Sequence, residues 1–280
     1  MTTPISILFS VYLEDPKIRI DKIMHSYAIL GATGQTGRNL LSILSKSPDC
    51  RVNVYVRSKA KLLGLFPNLE TNDNVQIFAG DLNDTALIAS CIGGVGTVFA
   101  TVATNENTPN LRIAQDTAQS IVAALCHARA HEAAFAAPQI IVLSSASLNH
   151  HLCRDQPAFA YWLIHAAFSN VYADLALAES YLRLHSTWLK VTFIQPGGLV
   201  EGGPNGHAIS CDSQKSFLSY GDLAAGMVEV ADAGAYDWMG VSIVPTGAGA
   251  KMPWQLPFGV AKGLLIHFIP WSYTLLSLVW

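Results

Sequence analysis

The run Gly31-Ala32-Thr33-Gly34-Gln35-Thr36-Gly37-Arg38 constrains the fold more than any other stretch of the chain. It follows Ser26–Leu30, which reads as a short strand, and it opens onto Arg38–Ser45, which reads as a helix. Glycines at GxxGxxG spacing between a strand and a helix have separate physical tasks. The first permits the tight turn, the second lets the backbone approach a pyrophosphate, and the third lets the helix lie close on the sheet. Phosphates then sit at the helix N-terminus, where unpaired amides and the helix dipole favour negative charge. Gly31, Thr33, Gly34, Gln35, Thr36 and Gly37 are therefore the expected cradle of a dinucleotide.

The rest of the pattern agrees. Strands are expected at Arg51–Val56, Val75–Phe78, Gly96–Val102, Gln139–Leu143, Lys190–Ile194 and Gly240–Val244. Helices are expected at Asp84–Cys91, 109–130, 167–185 and Ser219–Asp232, with an irregular stretch near 146–158. Strands alternating with helices over this length predict an α/β fold, a Rossmann-type doubly wound parallel sheet with a small C-terminal substrate lobe. The expected division is an N-terminal extension at 1–24, a nucleotide-binding domain at 25–198, and a smaller substrate or cap region at 199–280 ending in a hydrophobic tail. Gly197 to Gly206 reads as a flexible segment able to cover a substrate, and Asp222 as the cap of the helix that follows.

The end of the second expected strand bears on which dinucleotide fits. A free ribose 2′-hydroxyl is met by an acid there, and a 2′-phosphate by positive charge. The chain supplies Val56-Arg57-Ser58-Lys59-Ala60-Lys61, without a carboxylate. Arg57, Ser58 and Lys61 are the expected phosphate partners, which makes NADP the expected cofactor; the bland alternative is a solvated basic loop. Asp81 is placed beside the adenine, although Gly80-Asp81 also reads as ordinary turn chemistry.

Together Gly31–Arg38, Arg57, Gly80-Asp81-Leu82, Ile141-Val142-Leu143-Ser144-Ser145 and Gln195-Pro196-Gly197-Gly198-Leu199 resemble the atypical short-chain dehydrogenase/reductases, particularly the NmrA-like NAD(P)-binding proteins of fungi. The resemblance covers about residues 26–200. It implies a cofactor lying across the strand ends, touched by the segments at Leu82, Thr101 and Ser144, with Pro196 and Gly197 near the nicotinamide. Active members of the wider family use Ser, Tyr and Lys, the last two spaced YxxxK, so that the lysine lowers the tyrosine pKa. Here Tyr161 is followed four residues later by His165 and Tyr172 by Ala176, and no lysine lies between Lys61 and Lys190. The candidate catalytic residues are Tyr172, Ser145 and His165, with Asp174 as a further neighbour able to adjust the site. Each has a structural alternative. Tyr172 lies in a stretch that reads as a packed helix, His165 stands among apolar residues, and Ser145 and Ser147 suit a backbone passing close to a ligand.

The expected function is an NADP-dependent oxidoreductase acting on a hydrophobic small organic molecule, in fungal specialised metabolism. A nonenzymatic NADP-binding regulator and a nonredox isomerase or cyclase on the same fold remain as alternatives, because the YxxxK pair is missing. A net charge of −3 gives no sign of a nucleic-acid partner. No HExxH or Cys/His cluster signals a metal, and five scattered cysteines favour a reducing, cytoplasmic setting. A hydrophobic fraction of 51% with 13% charged residues points to extra buried surface, a greasy substrate or membrane contact. Residues 252–280 are rich in Trp, Phe, Leu and Ile but are interrupted by His267 and Pro270, so a spanning helix fits poorly. The tail reads as a packed cap or homo-oligomer contact, or as an in-plane segment that makes the protein peripheral at a membrane.

Overall fold

The computed structural model describes residues 25–131, 135–215, 217–247 and 249–276. The expected extension at 1–24 and the tip of the tail at 277–280 lie outside the described residues. The chain runs β1 (His25–Leu30), α1 (Gln35–Leu44), β2 (Cys50–Val56), α2 (Lys59–Leu65), β3 (Val75–Ala79), α3 (Thr85–Ile92), β4 (Thr97–Ala100), α4 (Ile113–His131) and β5 (Gln139–Leu143). It continues through α5 (Ala158–Ala167), α6 (Ser169–Arg183), β6 (Lys190–Ile194), β7 (Leu199–Val200), β8 (His207–Ser210) and β9 (Leu218–Ser219). The last elements are α7 (Tyr220–Ala233), β10 (Gly240–Pro245), α8 (Leu256–Phe268) and α9 (Ser272–Leu276).

The main sheet has the order β3-β2-β1-β4-β5-β6-β10-β8. Every pairing is parallel except that of β10 with β8. Strand order reverses between β1 and β4, and in such sheets the crevice outside the carboxyl ends at this switch point is where ligands sit. Ile29, Leu30, Val98, Phe99, Ile140 and Ile141 are all fully buried, so the central strands show no polar alternation. On one face Leu40, Leu41 and Leu44 of α1 and Leu223, Met227 and Val230 of α7 share a core with Val54 and Ile243. On the other, Ile88 of α3, Ile121 and Leu125 of α4 and Leu182 of α6 pack on Leu30, Val98 and Phe193. The fold is thus a Rossmann-type sheet flanked by helices, with α8 and α9 forming a small C-terminal lobe.

Several elements depart from expectation. The fourth strand stops at Ala100. Helix α2 forms inside the basic stretch because the Ser58 hydroxyl oxygen accepts the Lys61 amide at 3.2 Å. Helix α5, AFAYWLIHAA, is apolar almost all round and so shows no helical polar face in the sequence. A break at Phe168 separates it from α6. The glycine-rich segment at 197–206 is tied down: Asp222 accepts the Asn205 amide at 2.9 Å and the Gly206 amide at 3.0 Å. The cap of α7 is Ser219, whose hydroxyl oxygen accepts the Asp222 amide at 3.0 Å, rather than Asp222 itself.

The tail is docked by a close crossing. A Cβ on Gly263 would stand 2.8 Å from the Ala167 carbonyl carbon, so α8 runs directly over the junction of α5 and α6. Ile266 is buried beneath it, and Asn107 donates to the Gly263 carbonyl at 3.1 Å. Among the described residues no helix is long and apolar enough to cross a membrane.

Candidate functional site

The glycine turn lies where β1 ends. Gly31 has φ +96°, a conformation that side chains with a Cβ rarely adopt, and an added Cβ would lie 3.0 Å from the Thr101 and Val102 backbone. Its carbonyl accepts the Gly34 amide at 3.0 Å. At Gly37 an added Cβ would reach 2.8 Å from the Ala32 Cα, so only glycine lets α1 leave at this angle. Thr33 is half-buried, Thr36 is buried, and Gly34 precedes the helix without contributing a side-chain cap. The first turn of α1 carries no acid of its own, so its N-terminal amides suit an anion. These features fit a dinucleotide pyrophosphate.

Arg57 and Lys61 are exposed at the end of β2, and Ser58 retains its hydroxyl proton while capping α2. Lys59 is drawn away to Glu70 at 2.8 Å. Asp81 forms a local turn, accepting the Asn83 amide at 3.0 Å and the Asn83 side chain at 2.8 Å. The carbonyls of Asp81 and Leu82 are held by the Tyr55 hydroxyl and the Ser120 hydroxyl, both at 2.6 Å. Burial, with nearby acids adding to it, pushes the Tyr55 phenol up to about 12, which keeps it a donor. Thr101 follows β4 and donates through both its amide and its hydroxyl to the Leu30 carbonyl at 2.9 Å. Pro196 and half-buried Gly197 follow β6, and the Pro196 carbonyl accepts the Ala146 amide at 3.0 Å.

Tyr172, Ser145 and His165 come together from three elements. Tyr172 projects from α6, buried among Val171 and Leu175 with Leu148, Ile164 and Phe168 against it. Its phenol lies beside the side chains of Ser147 and Ser145, in the loop after β5. Burial nevertheless raises its pKa above the ordinary phenol value. The His165 ring of α5 lies 5.3 Å from that of Tyr172, centroid to centroid. Burial, then the neighbouring His150 and His267, lower the His165 pKa from 6.5. Tyr161 donates to the Ser147 carbonyl at 2.8 Å, so both tyrosines of the two candidate motifs brace the same loop. Asp174 stands apart from this cluster. Its carboxylate accepts the Ala114 and Gln115 amides at 2.8 and 3.0 Å, tying α6 to the start of α4.

Two acids that look isolated in the sequence are structurally engaged. Glu179 accepts the Ser144 hydroxyl at 2.5 Å and the Gln195 amide at 2.9 Å, while Gln195 accepts from Asn149 at 2.9 Å. This chain of four residues runs beneath the loop that carries Ser145 and Ser147. Glu201 receives a hydrogen bond from Gln35 and pairs with Arg38 at 3.3 Å, holding the segment after β7 against α1. Neither network has a spacing signal, since the partners lie 16 to 166 residues apart.

Comparison with known proteins agrees with this architecture. Residues 31–233 match the family described as NAD(P)H-binding. The chain is 49% identical to Oxidoreductase ordB of Dothistroma septosporum over 89% of its own length and 94% of that protein. It is 44% identical to Oxidoreductase stcQ of Emericella nidulans, covering 91% of this chain and 95% of that one. Among solved structures, a short-chain dehydrogenase/reductase from Veillonella parvula in complex with NADP superposes with a TM-score of 0.61. That match has 18% identity and covers 82% of this chain and 99% of the other, a likeness of fold.

Proposed function

The chain belongs to the NAD(P)H-binding family of Rossmann oxidoreductases, and from that membership we propose an NADP-dependent reductase acting on a hydrophobic small organic molecule in fungal specialised metabolism. The observation that carries this reading is the buried Tyr172 phenol, set against the His165 ring at 5.3 Å and beside Ser145 and Ser147 of the loop after β5. Gly31, Gly34 and Gly37 would seat the pyrophosphate on α1, and Arg57, Ser58 and Lys61 the 2′-phosphate. Leu82 and Thr101 would border the nucleotide, with Ser144, Pro196 and Gly197 towards the nicotinamide. Residues 25–198 would carry the nucleotide, and residues 199–280 would close the substrate side.

When bound across the strand ends, a nicotinamide dinucleotide supplies or accepts hydride. The protein's own part is proton management. Without a lysine four residues on, nothing cationic lowers the Tyr172 phenol, and burial raises it. A phenol that stays protonated donates to a developing alkoxide better than it abstracts a proton, which favours carbonyl reduction. Neutral His165 and the two serines orient it, and the apolar wall of Leu148, Ile164, Phe168 and Val171 excludes water and favours an apolar substrate.

The test is NADPH oxidation across a panel of hydrophobic carbonyl and enone compounds, with Tyr172→Phe as control. Substrate-dependent oxidation lost in the variant supports the reading. Ala176, standing where the family's lysine would be, favours a second reading, a nonenzymatic NADP-binding regulator. Tight NADPH binding with no turnover on any compound would shift the assignment there.

A further inference from the structure

Among the described residues, a band of apolar side chains runs unopposed along the outer side of α8 and onto α5. Phe258, Ala261, Leu265 and Phe268 recur every three or four residues, which aligns them along one side of α8, and the Trp254 ring just before the helix meets Phe258 at 6.3 Å. Trp254 is 74% exposed, Phe258 71% and Phe268 62%. Phe159 and Trp162 of α5, 72% and 50% exposed, widen the band. Their rings stack at 6.1 Å, and Trp162 lies 6.5 Å from Phe268. A contiguous exposed patch of this kind marks an interaction surface. The inner side of α8 already has its partners in Ala167, Asn107 and the buried Ile266, so the band is not a displaced core face.

Charge identifies the partner. Asp237 is the last acidic residue of the chain, and none occurs between Asp155 and Asp174. Neither helix carries a carboxylate, while Lys251 and Lys262 accompany the band. Aromatic rings on two helices that carry no carboxylate, with Lys251 and Lys262 beside them, complement an anionic lipid surface, whereas two copies face to face would bring these lysines together. We propose that α8 and α5 dock the protein in the plane of an anionic phospholipid bilayer, with the aromatic rings at the headgroup boundary. Helix α8 has 13 residues, which suits lying on the surface rather than crossing it. Docking would bring the lipid close to the Tyr172 corner, because His267 on α8 accompanies Ser169 at 2.9 Å and neighbours His165. Delivery of an apolar substrate from lipid rests on the catalytic reading; docking itself does not.

The experiment is co-sedimentation of the full chain with vesicles of phosphatidylcholine, alone or mixed with phosphatidylserine. Binding to the mixed vesicles is expected, with a blue shift of tryptophan fluorescence. Partition should fall roughly tenfold or more in Phe258→Ser with Phe268→Ser, and about fivefold per charge removed in Lys251→Gln with Lys262→Gln. Unchanged circular dichroism would show that these surface variants fold. Absence of binding by the unmodified protein, or binding indifferent to lipid charge, overturns the proposal. So does a stable dimer in light scattering that the Phe258 and Phe268 substitutions dissociate, which would make the band a contact between copies.

Discussion

The Ser144 hydroxyl donates to Glu179 Oε1 at 2.5 Å, and this one oxygen also accepts the Gln195 side-chain amide at 2.9 Å. Ser144 is the residue next to Ser145, so the carboxylate fixes the start of the loop that holds the Tyr172 phenol. Glu179 also lines a cavity of about 20 Å³ with Ser144 and Val142, room for little more than a single water. Glu179→Ala leaves two donors without their acceptor and should cost about 1–3 kcal/mol in urea unfolding. Glu179→Gln keeps the shape and one acceptor, and should recover most of both stability and turnover. As a positioning residue, Glu179 should affect kcat more than KM.

Gly37→Ala should be disproportionately damaging for a single methyl. The methyl meets backbone at Gly31 and Ala32, which cannot rotate away as a side chain could. Thermal unfolding should report a loss of about 1–3 kcal/mol. Calorimetry on the folded fraction should show weakened dinucleotide binding, because the turn and the start of α1 move together.

Arg57→Ala should separate the two dinucleotides. A lost charge-assisted hydrogen bond of about 1.5–3 kcal/mol weakens NADPH roughly 10- to 100-fold. NADH lacks the 2′-phosphate and should be affected little. Equal loss for both in titration calorimetry would remove Arg57 from the selectivity role, and Lys61 would be tested next.

Tyr172→Phe keeps the packing of α6 and removes the proton donor. Turnover in the reductive direction should fall about 100-fold or more, with KM nearly unchanged. Because burial holds the phenol above its ordinary 10.0, the alkaline loss of activity assigned to it should begin only above that pH. A profile governed by a group near neutrality would point elsewhere.

His165 gives a stability prediction of defined sign. Its folded pKa lies below 6.5, so the unfolded chain binds more protons as the solution is acidified. Stability contributed by neutral His165 is therefore complete above about pH 6.5 and is lost as pH falls below it. The fall in Tm between pH 7 and pH 5 should be smaller in His165→Gln than in the unmodified protein.

The glycine turn was legible because its geometry allows few substitutes: positive φ at Gly31 and backbone contact at Gly37 write themselves into residue type. The parallel sheet was legible from apolar runs such as Gln139–Leu143, whose central residues are buried on both faces. Helix α5 stayed hidden because its apolar residues surround it, so no period separates core from solvent. Asp222 read as a helix cap because acids favour helix starts, but the neighbouring Ser219 takes that task and frees the carboxylate for the loop amides. Tyr172, Ser145 and His165 stand out as candidates by residue type and place, whereas Glu179 and Asn149 carry no pattern, and the Gln195–Leu199 run gives no sign that Gln195 joins them. Their relation exists only once β5, β6 and α6 are assembled.

The pairing of α1 with α7 has a consequence for synthesis. The glycine turn leaves the ribosome well before α7, yet Leu40, Leu41 and Leu44 share their core with Leu223, Met227 and Val230. Tyr27 likewise waits for Asp232, to which its hydroxyl donates at 2.7 Å. The amino-terminal half must therefore persist with an apolar helix face uncovered while almost two hundred further residues are made. A stalled or truncated product ending before residue 220 would be a natural client for chaperones, however complete its nucleotide turn looks in sequence.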